Sequence, residues 1–172
     1  MAHPWFVESM RRWGDTLSPQ EFLARFTPWH VWWHSGHGTW NGIPFVGFLS
    51  FHHDVTNALK CSFGRTGWEF PPPWQDMQPA YETWRTAGGR LLDQIEDPQA
   101  FSREVEFWHS AVHSNPLYPE IMDPSTNIWT WRFWALHHRI DEEFKSFLRR
   151  LRPGEPDVEK IYESLNASHA TV

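Results

Sequence analysis

Apolar residues along this chain recur at helical spacing, in segments set apart by glycine and proline, and no sustained period-two alternation interrupts them. Ser18-Pro19-Gln20-Glu21 reads as a helix start: a capping residue, a proline in the first turn and an early acid. The helix it opens runs through Phe22, Leu23 and Phe26 towards Trp29–His34, with Pro28 a candidate break or kink. A glycine-rich loop follows over 36–42, then a second helix from Pro44 to Lys60. Gly64 to Trp74 is a loop holding Pro71, Pro72 and Pro73. A third helix is expected over Pro79 to Glu96, and a fourth, opened by Asp97-Pro98, to His113. An irregular link over 115–126 leads to the longest segment, Asn127 to Leu151. Asp141, Glu142 and Glu143 precede Arg149, Arg150 and Arg152 there, the order that a helix dipole favours, and Pro153-Gly154 ends the segment. A short helix from Glu155 to Leu165 closes the chain. The pattern predicts one all-α domain over 1–172: an antiparallel four-helix bundle core with additional short helices and loops.

Composition narrows the function. At 172 residues the chain can bury a core without disulfides, and its single cysteine, Cys61, cannot form an internal one. That cysteine usage fits a reducing compartment, so a cytoplasmic location is expected. The net charge of -6, from 21 acidic and 15 basic residues, argues against nucleic acid as a partner. The first dozen residues lack the apolar stretch of a secretory leader, and no apolar run approaches a membrane span. Thirteen tryptophans suggest a dry, stiff interior, and eleven histidines suggest chemistry if their placement is ordered.

It is ordered. His109 and His113 stand four apart on one face of the fourth helix, where two imidazoles can reach one metal ion. A third ligand must come from another element, and His137 on the longest helix is the candidate. Ser110, Ala111 and Val112 lie between the pair, so the glutamate base of a zinc peptidase is missing. In the N-terminal half, His30, His34 and His37 follow at spacings of four and three, and His52 and His53 come next. Two sets of three neutral imidazoles, with no cysteine or carboxylate beside them, suit copper or zinc better than magnesium or a di-iron carboxylate centre.

The segment Phe133-Trp134-Ala135-Leu136-His137-His138-Arg139-Ile140-Asp141 resembles a motif of the type 3 copper proteins, the family of tyrosinases, catechol oxidases, o-aminophenol oxidases and hemocyanins. The resemblance places His137 as a copper ligand and Asp141 as a supporting acid, with His109 and His113 as the paired ligands of the second copper site. Phe48-Leu49-Ser50-Phe51-His52 is similar to the family's first-site segment and places His52 there, with His53 where arginine is usual. His30 and the loop residue His37 would complete that site, and His34 competes with either. Cys61 is not placed for the thioether some members carry and is expected to be a buried thiol.

The resemblance implies two copper ions per chain, dioxygen as co-substrate and oxidation of an o-diphenol, o-aminophenol or related phenol. Ser110 stands where members that hydroxylate monophenols carry asparagine, so diphenol-type oxidation is expected to outweigh hydroxylation. Two alternatives stay open: a non-enzymatic oxygen or copper binder like the hemocyanins, and a mononuclear metal enzyme using only His109, His113 and His137. A second copy of the chain or a copper-delivery protein is compatible with the sequence as a partner; a membrane is not expected.

Overall fold

The computed structural model of the protein describes residues 4–37, 48–75 and 92–169, apart from the side chains of 4, 5, 36, 37 and 166–169. The fold is all-α, as the pattern predicts, and no strand occurs among the described residues. The helices are α1 (Pro4–Thr16), α2 (Pro19–Trp32), α3 (Ser50–Arg65), α4 (Pro98–His113), α5 (Trp131–Leu151) and α6 (Val158–His169). None of the described helices is long and apolar enough to cross a membrane.

Local chemistry sets several of these boundaries. Ser18 and Glu21 form a reciprocal cap at the start of α2: Ser18 N–H donates to Glu21 Oε2 at 3.0 Å, and Glu21 N–H donates to Ser18 Oγ at 3.4 Å. Pro28 does not break α2. The carbonyl it leaves unpaired, that of Ala24, lies on the exposed side of the helix, where water can satisfy it. Beyond Trp32 the chain widens into a π-helical turn, Trp33–His37. At the head of α4, Asp97 accepts the Ala100 N–H at 2.7 Å, and Pro98 needs no donor. The longest helix starts later than expected. Residues Asn127–Trp129 form a 3₁₀ turn, and Thr130 caps α5 by accepting the Phe133 N–H at 3.3 Å.

Other boundaries also move. α3 runs to Arg65 rather than Lys60 and ends before Gly67, whose φ of 74° reverses the chain. Most of the expected helix over Pro79 to Glu96 lies outside the described residues; its described end holds a 3₁₀ turn, Leu92–Gln94. The closing helix starts at Val158 rather than Glu155.

α1 was not anticipated. Phe6, Met10 and Gly14 recur every four residues and are buried, so α1 lays one stripe against α3. The approach is close: a Cβ built on Gly14 would lie 2.5 Å from the Ala58 carbonyl oxygen. Backbone cannot yield as a flexible side chain can, so Gly14→Ala is expected to destabilise the fold by about 1–3 kcal/mol, measured as a fall in the urea midpoint with unchanged slope.

Aromatic rings fill the interior between α1, α2, α3 and α5. Phe6 stacks on Phe51 at 5.2 Å, and Phe51 stacks in turn on Trp33 at 5.0 Å. Phe101 of α4 stacks on Phe147 of α5 at 4.1 Å and fixes those two helices together. Burying each such ring contributes about 1.5–3 kcal/mol. This stiff floor presents the histidines.

Candidate metal centre

Four helices aim histidines at one interior point. α2 and its π-helical extension carry His30 and His34, whose ring centroids are 4.5 Å apart. α4 carries His109 and His113, 4.3 Å apart. α3 supplies His52 and α5 supplies His137, whose rings stack at 4.8 Å. His109 bridges the halves, lying 6.1 Å from His34, 5.4 Å from His52 and 5.2 Å from His137. The two sequence sets thus interleave into one cluster. Its most compact trio, His52, His109 and His137, has ligand atoms within 4.8 Å of one another and draws on both sets.

The same nitrogen is left over in all six. The Nε2 atoms of His30, His34, His52, His109, His113 and His137 are buried and have no hydrogen-bond partner among the described residues. Buried polar atoms normally find partners, and each one left unpaired costs about 1–3 kcal/mol. Six in one place form a donor set that could hold a metal ion, since neutral imidazoles are metal ligands. His37 lies in the π-helical turn, and its side chain is outside the described residues.

Four of the rings are oriented by backbone carbonyls. His52 Nδ1 donates to Phe48 O and His137 Nδ1 to Phe133 O, each at 2.7 Å and each within its own helical stretch. His30 Nδ1 donates to Pro124 O at 2.9 Å, and His113 Nδ1 donates to Ile121 O. A carbonyl can only accept, so Nδ1 carries the proton in all four rings and the lone pair sits on the inward Nε2. No side-chain signal in the sequence marks these acceptors.

Burial keeps the cluster uncharged. Removal from water, with repulsion from His34, pushes His30 down to about 3, and removal from water, with His113 beside it, pushes His34 down to about 4. The same burial drives His52, His109 and His137 well below the ordinary histidine range and lowers His113. Neutral imidazole is the state that binds metal.

Apolar groups wall the cluster in. Phe133 stacks on His137 at 3.9 Å and meets His30 edge-on at 5.1 Å. Phe48 packs 4.3 Å from His52 and 4.9 Å from His109. Behind His30, His52 and His137 lies a narrow void with no room for a water molecule, lined by Phe26, Phe51, Val55 and Trp134. Trp33 is core, while Trp32 is 40 % exposed and lines no part of that void.

His53 and Asp141 play a different part. His53 Nδ1 lies 2.6 Å from Asp141 Oδ1, and both residues are buried. Asp141 therefore supports the neighbour of a cluster histidine rather than a cluster ring directly. Arg132 and Arg139 pair with Glu120 and Glu143. Cys61 is exposed, not buried as expected, because its turn of α3 faces a surface groove with Arg11, Asp15 and Glu159.

No family model, curated protein or solved structure matches the chain.

Proposed function

We propose that this protein is a dinuclear copper oxidase, which uses dioxygen to oxidise an o-diphenol, an o-aminophenol or a related phenolic substrate. The observation that supports this reading is the convergence of six buried, unpartnered imidazole nitrogens, two each from α2 with its extension and from α4, one each from α3 and α5. The resemblance would divide the ligands as His52 with two of His30, His34 and His37 at one ion and His109, His113 and His137 at the other, a division that the compact trio His52, His109 and His137 crosses. An all-imidazole set tolerates both copper oxidation states. Bound copper would supply the redox chemistry: two diphenols, each losing two electrons and two protons, would reduce one dioxygen to two waters and leave two quinones.

The chain's own residues do the rest. The carbonyls of Phe48, Pro124, Ile121 and Phe133 hold four rings with Nε2 inward. Phe48, Phe133 and the rings behind them keep water from the reacting centre. Ser110, next to His109, is exposed and offers one hydroxyl instead of an amide, a poor base arrangement for monophenols.

Loading the metal-free protein with copper is expected to give two equivalents per chain, and dioxygen uptake with 4-methylcatechol or 2-aminophenol. Tyrosine should turn over at least about 100-fold more slowly, the scale of a missing acid–base group. A single equivalent, with no dioxygen uptake, would refute the dinuclear reading. It would favour a mononuclear site on the compact trio His52, His109 and His137.

A further inference from the structure

The cluster histidines are held in two different ways. His52 and His137 bond to carbonyls one turn back in their own helical stretch, so their orientation comes with the helix. His30 and His113 do not. They reach out to the irregular link between α4 and α5, and they reach the same short stretch of it: Ile121 O for His113 and Pro124 O for His30. One of these rings belongs to each histidine set.

That stretch is folded onto itself. Asp123 organises it, its carboxylate accepting the Ser125 N–H at 2.8 Å and hydroxyl at 2.7 Å, and its carbonyl accepting the Asn127 N–H at 2.8 Å. Ile121 and Ile128 anchor it from either side, both fully buried. Asn127 closes it: this buried side chain donates from Nδ2 to Ile121 O at 3.2 Å. The Ile121 oxygen thus receives two donors, the His113 ring and the Asn127 amide, which its two lone pairs allow.

We propose that residues 119–127 form a shared strap that orients one histidine of each set, that Asn127 is the positioning residue holding it, and that the strap makes the two metal ions bind together. The orientation of the rings stands on the hydrogen bonds alone; the coupling of two ions rests on the dinuclear reading. A first ion would fix its own set and, through the strap, the partner ring of the other set. The second ion then meets a site already ordered, which is positive coupling between sites.

The test separates these two levels. In metal-free protein with ¹⁵N-labelled histidine, long-range nitrogen–proton spectra report which ring nitrogen carries the proton. The wild type is expected to show the Nδ1–H form at His30, His52, His113 and His137. Asn127→Ala should shift both His30 and His113 towards mixed tautomers while leaving His52 and His137 unchanged. A variant that merely loosened the fold would move all four or none. In copper(I) titrations against a chromophoric chelator, the wild type should fill two equivalents in one steep step. In Asn127→Ala both affinities should fall together, by about ten-fold or more.

If only His113 shifts, or only one affinity falls, the strap is not shared and the proposal is overturned. If the tautomers shift as stated but copper binds at one equivalent in either protein, the orienting role stands and the dinuclear reading fails. Should Asn127→Ala not fold, Asn127→Ser, whose hydroxyl is too short to reach the Ile121 carbonyl, carries the same comparison.

Discussion

Without added metal, the protein is expected to unfold in one cooperative step as the pH falls from 6.5 towards 5. Six imidazoles are packed where burial keeps them neutral, with His30 held down to about 3 and His34 to about 4. In the unfolded chain each protonates near its ordinary value of about 6.5. A histidine whose folded pKa is depressed leaves stability intact above 6.5 and drains it as the pH falls towards the folded value, because only the unfolded chain takes up the proton. Each such ring costs about 1.4 kcal/mol per pH unit below 6.5. The five driven furthest down, His30, His34, His52, His109 and His137, together reach about 7 kcal/mol per unit, against about 5–15 kcal/mol for the stability of a whole domain. Copper held by these rings would reverse the balance, since metal binds neutral imidazole and only the folded arrangement gathers the ligands; protein loaded with copper should then hold its fold to lower pH. Urea melts followed by circular dichroism between pH 5 and 7.5, with and without copper, check both halves. Stability that stays flat down to pH 5 in the metal-free protein would show that the rings accept protons within the fold, contrary to their burial.

Much of the framework behind this prediction is legible in the sequence, for identifiable reasons. The starts of α2 and α4 are written in side chains, Ser18 with Glu21 and Asp97 with Pro98, and the structure uses those groups as read. The segment expected from Asn127 starts too early, because Asn127–Trp129 forms a 3₁₀ turn; Thr130 caps α5, and Asn127 turns inward to Ile121 O. α1 shows only as a four-residue stripe, Phe6, Met10 and Gly14, and a glycine within the stripe hides a contact that needs its missing side chain.

The site divides in the same way. Pairs four apart on one helix, His30 with His34 and His109 with His113, come together because helical geometry alone requires it. Chain order assigns His52 and His137 to different sets, whereas packing stacks them on each other. Tertiary contacts of that kind leave no mark in local spacing. Nor do the Ile121 and Pro124 carbonyls, since every residue has a carbonyl and only the fold decides which ones face a ring.

Removing the Asp141 carboxylate is expected to cost about 3–5 kcal/mol, the scale for stranding buried charge. Three cations share this one buried carboxylate: His53 Nδ1 lies 2.6 Å from Oδ1, and Lys60 and Lys145 reach Oδ2 at 3.0 and 2.8 Å. Burial alone would push His53 down. The hydrogen bonds and charges of Asp141 and Glu159 overcome it and raise His53 to about 9. Burial likewise opposes ionisation of Asp141, and its bond to His53, with the two lysines, pulls it below the usual carboxylate range. Glu159 is too exposed to neutralise the Lys60 and Lys145 charges that Asp141→Ala would leave behind. The pH profile identifies the cause. A histidine with a raised folded pKa contributes fully below 6.5, and that contribution disappears as the pH rises through about 9. Asp141 contributes above its ordinary value of 3.8 and loses that contribution only as the pH falls through its depressed one. The wild type should therefore lose stability between pH 6.5 and 9, and Asp141→Ala should largely flatten that limb, because His53 would no longer hold its proton. Thermal melts of both proteins across pH 6.5–9.5 measure the two effects together. A loss below about 1 kcal/mol, typical of a surface ion pair, would mean that the network is solvated and does not lock α3 to α5 beside the cluster.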